Sequence, residues 1–238
     1  MQELSLVSMV SIHRIKLGYV NSFLIKENNN CILVDTGMPK SHKKIVHFLQ
    51  KNSIQPENIK LIIITHAHID HIGSVKEIKE ITGAKVLMHK IEAELVEKGD
   101  TPEAVLTNKL LKKIFSSTKR EIAPFSVDIK VSDEFSLKEY GFDAKIIHTL
   151  GHTDGSISLI FKQKHAFVGD IVMKFPLLSG RSYFPIVANK KEKIYESWKK
   201  LIDEGVKWLY PSHGKIFPIR LLEKEMEKKK IVVKDFRD

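Results

Sequence analysis

The 238-residue chain has a single cysteine, Cys31, and no apolar run as long as the roughly 18 residues that cross a membrane. One cysteine excludes a disulfide within the chain and suits a reducing compartment. The first ten residues contain Glu3 and lack a basic group ahead of an apolar stretch, so they do not have the pattern of a secretory signal. These absences predict a soluble, cytoplasmic protein with no membrane partner.

Positive charge is in excess: 39 basic and 29 acidic residues give a formal net charge of +10. Such an excess can attract nucleic acid, acidic membranes or anionic metabolites. However, lysines stand beside glutamates along helix-like stretches, and the sequence has no arginine-rich arm and no basic residues interleaved with aromatic ones. We therefore interpret the charge as a solvated lysine surface, and nucleic acid is not the expected partner.

No linker or low-complexity segment divides the chain, which predicts a single domain over residues 1–238. The segment "LIIIT", 61–65, is a continuous β-branched run, typical of a strand buried on both faces. Residues 41–51 and 190–204 carry apolar side chains at helical spacing. Strands mixed with helices place the protein in the α/β class.

A strand ending in Asp, then a helix, then a strand ending near His occurs twice along the chain. The two copies run from "CILVDTG" to "LIIITHAH" and from "HAFVGD" to "KWLYPSHG". Two similar halves predict two sheets packed together with helices outside. Loops at the strand ends of both halves then meet along one edge, where we expect the functional site.

A helical insert is predicted near residues 94–118, because Leu106, Leu110 and Ile114 share one helical face. It is expected either to cover the site as a lid or to form the contact of a homodimer. The sequence leaves both possibilities open.

The segment "THAHIDH", residues 65–71, puts three histidines and an aspartate within a few positions. His66 and His68 alternate, so they point to the same side of an extended chain. Asp70 and His71 follow at once, where a helix is predicted to begin. Four such groups would repel or stay unsatisfied if buried without a cation. A catalytic zinc ion takes three protein ligands plus a water, so this cluster and further ligands elsewhere predict two metal ions.

Three more candidate ligands each stand at a strand end beside a glycine. These are His152 in "TLGHTDGS", Asp170 in "FVGDI" and His213 in "YPSHG". Each is weak evidence alone, and their order and spacing after the histidine cluster give them weight.

Together with Asp35 in "VDTG", these motifs resemble the metallo-β-lactamase superfamily, in order and over most of the chain. The resemblance implies a four-layer αβ/βα sandwich, two mixed β-sheets flanked by helices, with the site at its edge. It also implies that Asp35 hydrogen-bonds the ligand loop, although a simple turn-forming role before Gly37 remains an alternative. The implied ligands are His66, His68 and His152 for a first metal ion, Asp70, His71 and His213 for a second, and Asp170 for both.

The cofactors implied by this resemblance are two divalent metal ions, with zinc expected and iron or manganese as alternatives. Such a pair activates a shared hydroxide that attacks a carbonyl or phosphoryl centre. Asp70 is the expected catalytic residue, orienting the hydroxide and carrying its proton to the leaving group. The prediction is a metal-dependent hydrolase that cleaves an ester, thioester or lactone. The best-known β-lactamases have a cysteine near the place of Asp170, and Cys31 lies far upstream, so penicillin hydrolysis is disfavoured.

Residues 169–185 resemble the glyoxalase II-like branch, which makes Arg181 and Tyr183 the candidate substrate contacts. Arg181 is predicted to pair a carboxylate or phosphate of a small-molecule substrate that can be anionic, and Tyr183 to hydrogen-bond an oxyanion or leaving group. The structural alternatives are an internal ion pair and packing within the loop. Only residues 214–238, 25 in number, follow His213, so the glutathione-binding region of glyoxalase II is expected to be missing.

Three other functions remain open at the level of sequence. A persulfide dioxygenase would hold one iron through His66, His152 and Asp170. A nuclease would use the basic charge and the two-metal site on a phosphodiester. A regulatory module would bind metal without turnover.

Overall fold

Two six-stranded sheets make up the centre of the computed structural model, which describes residues 10–107, 121–162, 164–174 and 182–229. The first sheet consists, in spatial order, of β1 (Val10–Lys16), β2 (Asn21–Glu27), β3 (Asn30–Val34), β4 (Ile59–Ile63), β5 (Lys85–His89) and β6 (Ile129–Val131). The second consists of β7 (Phe135–Ser136), β8 (Ala144–His148), β9 (Ile157–Phe161), β10 (His165–Gly169), β11 (Trp208–Pro211) and β12 (Phe217–Pro218).

Both sheets are mixed. In the first, β1, β2 and β3 pair antiparallel, and β3 to β6 pair parallel. In the second, only β10 and β11 are parallel among the described pairs. The helices are α1 (His42–Lys51), α2 (Ile69–Ile72), α3 (Val75–Thr82), α4 (Lys90–Val96), α5 (Lys191–Asp203) and α6 (Arg220–Lys228). None of them combines the length and apolar character needed to cross a membrane.

Three apolar clusters separate four layers. One lies between the first sheet and helices α1, α3 and α4, one between the two sheets, and one between the second sheet and helices α5 and α6. Strand β4 and the residue after it show why the layers form: Leu61 and Ile63 face the other sheet, while Ile62 and Ile64 face the helices. A strand apolar on both faces must be covered on both. The predicted αβ/βα sandwich is confirmed.

The repeated strand–helix–strand pattern in the sequence is a repeated structural unit. Strands β3 and β4 flank α1, strands β10 and β11 flank α5, and both strand pairs are parallel. The chain turns with positive φ at the end of each first strand, at Asp35 (φ 57°) and Gly169 (φ 54°). The halves join at this edge, where Asn21 N donates to Ser212 O at 2.7 Å. The carboxyl ends of all four strands therefore meet there.

The helical insert predicted near 94–118 is wrong for its described part beyond α4. Helix α4 ends at Val96, and residues 101–107 are not helical. Their backbone groups bond instead to a neighbouring segment: Thr107 N donates to Ile186 O and Ala188 N to Val105 O, each at 2.8 Å. Hydrogen bonds to the segment 186–188 of the same chain take the place of the helical hydrogen bonds that the apolar stripe at Leu106 predicted. Residues 108–118 lie outside the described ranges, so the lid and the homodimer contact stay predictions.

Candidate metal centre

Three histidines form a compact triangle where the loop after β4 meets the loop between β8 and β9. The atoms His66 Nε2, His68 Nδ1 and His152 Nε2 lie 3.0–3.1 Å from one another. A tetrahedral zinc ion with Zn–N bonds of about 2.0–2.1 Å separates its nitrogen ligands by about 3.3 Å. The triangle is therefore close to the arrangement that holds one ion.

A second group lies beside the first. Asp70 Oδ2 is 3.2 Å from His213 Nε2, and Asp70 Oδ1 is 3.7 Å from His71 Nε2. Asp170 belongs to both groups, because its Oδ2 lies 3.3 Å from His213 Nε2, 3.6 Å from His71 Nε2 and 3.7 Å from His152 Nε2. The structure thus brings together all seven residues that the resemblance implied as ligands.

Unpaired polar atoms show that this cluster suits cations. Within the described residues, His71 Nε2 and Asp170 Oδ1 are buried and have no hydrogen-bond partner. Buried polar atoms in proteins almost always have one. Imidazole nitrogen and carboxylate oxygen are ligands of zinc, iron and manganese alike. The residues present therefore fit two divalent metal ions.

Burial and neighbouring charge hold most of these groups in the form that binds metal. Burial, reinforced by the neighbouring histidines, lowers the pKa of His66 well below its usual value and that of His68 to about 3. Burial raises the pKa of Asp70, but His71 and His213 outweigh it and bring that pKa to about 2. In the same way the pKa of Asp170 falls well below its usual value. The first three-histidine group is therefore neutral, and the carboxylates are ionised.

His71 and His213 differ, because burial lowers their pKa values but the carboxylates raise them more. The pKa of His71 is held well above its usual value by Asp35, Asp170 and Asp70, and that of His213 is raised to about 10 by Asp170 and Asp70. Without metal, these raised pKa values favour the protonated form of both side chains. Each must lose a proton before it can bind an ion.

Affinity for the second ion is therefore expected to rise with pH between 6 and 9, by up to about tenfold per pH unit for each proton released. Affinity at the three-histidine group is expected to change little, because those side chains are already neutral. Calorimetric zinc titrations in two buffers of different ionisation enthalpy measure the protons released at each step. Equal proton release at both steps would contradict this assignment.

Asp35 holds the ligand loop in place. Its buried carboxylate accepts hydrogen bonds from Thr65 N (2.8 Å), Thr65 Oγ1 (2.8 Å), His71 Nδ1 (2.8 Å) and Ser212 Oγ (3.0 Å). The contacts match the role predicted for it, and its positive φ shows that it also makes the turn. Because Asp35 takes up Nδ1, His71 presents Nε2 to the centre.

Backbone carbonyls orient two further candidate ligands. His152 Nδ1 donates to Val187 O at 2.8 Å, and His213 Nδ1 donates to Tyr19 O at 3.0 Å. A ring whose Nδ1 carries the donated proton keeps the lone pair on Nε2 for a metal ion. Val187 also bridges to Leu106, so the segment 101–107 is connected to a ligand histidine.

A cavity of about 510 Å³ opens onto the ligands. His68, Asp70, His152, Asp170 and His213 form its polar side. Its apolar side comprises Ile69, Pro102, Ala104, Met173, Ile186 and Val187, with Tyr19 at the ring of His213. Sequence reasoning missed this wall, because its apolar residues are scattered over separate segments of the chain and carry no motif.

Of the two predicted substrate contacts, the structure describes only Tyr183. Arg181 lies outside the described residues. Tyr183 is not among the residues described as lining the cavity; its ring packs on Phe217 at 4.4 Å between centroids, with Lys174 Nζ 4.3 Å from its centre. This placement matches the packing alternative, so the substrate contact of Tyr183 remains only a prediction.

A two-sheet sandwich with seven His and Asp side chains at its edge defines a class of metal-dependent proteins. Residues 15–213 match the family model of the metallo-beta-lactamase superfamily, and the chain belongs to that superfamily. The family and fold predicted from the motifs are confirmed.

Two relatives show the range of names in the family. "Probable metallo-hydrolase MJ0888" of Methanocaldococcus jannaschii is 31% identical over 198 residues, which cover 82% of this chain and 88% of that protein. Hydroxyacylglutathione hydrolase of Pelagibacter ubique is 31% identical over 152 residues, 63% of this chain and 49% of that protein. This chain therefore matches about half the length of the second relative.

Solved structures agree on the fold. The BLEG-1 B3 metallo-beta-lactamase superposes with a TM-score of 0.68 at 19% identity, covering 91% of this chain and 97% of that one. The superfamily protein ST1585 from Sulfolobus tokodaii superposes with a TM-score of 0.60 at 20% identity, covering 97% of this chain and 91% of that one.

Proposed function

We propose that this protein is a hydrolase that uses two divalent metal ions to cleave an ester, thioester or lactone. The observation that carries the proposal is the position of Asp170, whose Oδ2 lies within 3.3–3.7 Å of ligand nitrogens of both groups. A carboxylate between two ligand groups can contribute an oxygen to an ion in each, and this position supports a paired-ion centre. When bound, such ions supply a hydroxide at neutral pH and stabilise the negative charge that develops on the carbonyl oxygen.

Asp70 is the residue that we propose moves the proton. Its side chain is 17% exposed and lines the cavity, whereas that of His71 is fully buried. Its low pKa makes it an ionised acceptor, and His213 Nε2, 3.2 Å from Oδ2, keeps the carboxylate in place. We propose that Asp70 accepts a proton at a carboxylate oxygen and passes it to the leaving group.

The cavity favours a substrate with an apolar part. Six apolar side chains form one wall, and no lysine or arginine is among the residues described as lining it. Burying an alkyl group there contributes about 0.8 kcal/mol per methylene. An apolar acyl ester, thioester or lactone therefore suits the described walls better than a strongly anionic one. The likeness to a hydroxyacylglutathione hydrolase supports thioester cleavage as part of this range.

A panel of four substrates tests the proposal: a neutral alkyl ester, an acyl lactone, a glutathione thioester and an activated phosphodiester, each with zinc-, manganese- or iron-loaded protein. We expect the alkyl ester or the lactone to be hydrolysed with the highest kcat/KM. A protein that holds two ions and hydrolyses none of the four would contradict the proposal. Hydrolysis of the phosphodiester alone would favour the nuclease, and oxygen uptake with a persulfide would favour the dioxygenase.

A further inference from the structure

A buried carboxylate outside the ligand set lies directly behind the three-histidine group. Glu92, in the first turn of α4, is 1% exposed, and no lysine or arginine pairs with it among the described residues. Its oxygens accept three hydrogen bonds: Oε2 from Ala67 N, and Oε1 from Thr153 Oγ1 and from Gly155 N, the last at 2.9 Å. Each donor belongs to a loop that carries metal ligands.

The three donors join two segments that are distant in sequence. Ala67 stands between His66 and His68, and Thr153 follows His152 directly. One carboxylate therefore ties together the two loops that supply all three histidines. We infer that Glu92 is a positioning residue that sets the spacing of the first metal group, an inference that rests on the proposed metal centre.

Burial of a charge at this point is costly for the fold alone. Burial raises the pKa of Glu92, opposed by the hydrogen bonds from Thr153, Ala67 and Gly155. An apolar pair of similar volume is often as stabilising as a buried ionic arrangement, so stability does not account for the carboxylate. A single group with two acceptor oxygens can, by contrast, hold two loops in one fixed relation.

The neighbouring residues fit the carboxylate closely. A Cβ on Gly155 would lie 2.7 Å from Glu92 Cγ, so residue 155 has room only for glycine. His89 caps α4 by accepting from Ile91 N at 3.3 Å, and its ring stacks on His148 at 4.3 Å between centroids. His148 Nε2 in turn donates to Asp154 O at 2.8 Å. Helix α4 is thus fixed against the His152 loop at two points.

Glu92→Gln tests the inference, because the amide keeps the shape but replaces one acceptor oxygen with a donor. We expect affinity for one of the two ions to fall roughly 10- to 100-fold, the usual effect of losing a group that orients ligands, while affinity for the other ion stays near the wild-type value. Zinc titration with a competing chelator measures both affinities, and the absorption spectrum of the cobalt-loaded protein reports the three-histidine geometry. In metal-free protein, the amide proton signals of Ala67 and Gly155 are expected to shift upfield.

Asp128→Asn is the matched control. The Asp128 carboxylate also accepts from a backbone amide, Val86 N at 2.7 Å, and pairs with Lys79, but it bonds to neither ligand loop. We expect this variant to lose stability with both ion affinities unchanged. Equal affinity loss in both variants, or wild-type affinities in Glu92→Gln, would overturn the inference.

Thr153→Val provides a milder test in case Glu92→Gln does not fold, since it removes one donor and keeps the shape. We expect the affinity for the same ion to fall several-fold. An unchanged affinity would count against the role inferred for Glu92. Metal binding also separates this inference from the proposed function. If wild-type protein binds two ions but hydrolyses no substrate, the proposed hydrolysis is refuted, and the measured ion affinities of Glu92→Gln still decide the role of Glu92. If wild-type protein binds no ion, both the proposed function and this inference are refuted.

Discussion

Asp170→Asn is expected to lower hydrolysis by about 10²- to 10³-fold, the scale of losing one pre-organised electrostatic group in an active site. Asp170 is 4% exposed, and its Oδ2 lies close to nitrogens of both ligand groups, 3.7 Å from His152 Nε2 and 3.3 Å from His213 Nε2. The amide occupies the same volume but removes the charge that lies between the two ligand groups. It also places an uncharged group beside His71 and His213, so we expect bound metal to fall from two ions to one or fewer.

Kinetics on the best substrate and metal content per chain measure both effects in Asp170→Asn. The matched control is Asp203→Asn, which neutralises a half-exposed carboxylate on α5 that pairs with Lys199. We expect the control to keep two ions and wild-type kcat/KM. Full metal content together with wild-type kinetics in Asp170→Asn would rule out the bridging role.

Asp35→Ala is expected to lower the free energy of unfolding by about 3–5 kcal/mol, the range for breaking a buried ion pair. Asp35 and His71 are both fully buried, and His71 Nδ1 lies 2.8 Å from Asp35 Oδ2. The substitution leaves the donors of Thr65 and Ser212 without their acceptor and the His71 ring without a partner at Nδ1. Urea unfolding of metal-free protein gives the stability change without the contribution of metal binding.

Asp35→Asn separates the turn from the hydrogen bonds. Asparagine tolerates the positive φ at this position better than alanine and keeps one acceptor oxygen, but it carries no charge to oppose that of His71. We expect an intermediate loss of stability and weaker binding of the ion held by His71. If Asp35→Asn is as stable as wild type while Asp35→Ala is not, Asp35 has only the turn-forming role, and wild-type stability in both variants would contradict both roles.

The sequence predicts the centre well because local rules determine it. Strands ending in His or Asp beside glycine place ligands at the carboxyl edge of a sheet, and β4 shows its two-sided burial in the unbroken run of 61–65. Helices α1 and α5 follow from apolar periodicity within one or two residues of their observed ends. The seven candidate ligand positions follow from motif order and the family resemblance, and the structure brings these residues together.

The features that the sequence does not predict depend on long-range pairing. Glu92 resembles an ordinary acid in the first turn of a helix, and only the fold places it between two ligand loops. Leu106 begins an apolar stripe, with Leu110 and Ile114, that is typical of a helix, but the backbone of residues 105–107 pairs with residues 186–188. Trp208 stands in an apolar pattern that predicts core packing, yet it begins β11 beside the edge strand β12 and is 45% exposed.

Elemental analysis of protein purified without chelator or added metal is the most direct test of the paired-ion centre. The positions of Asp170 and of the two ligand groups predict about two divalent ions per chain. Zinc, or zinc mixed with manganese or iron, agrees with the proposed hydrolase. A single equivalent of iron would contradict the two-ion account and direct attention to oxygen-dependent sulfur chemistry.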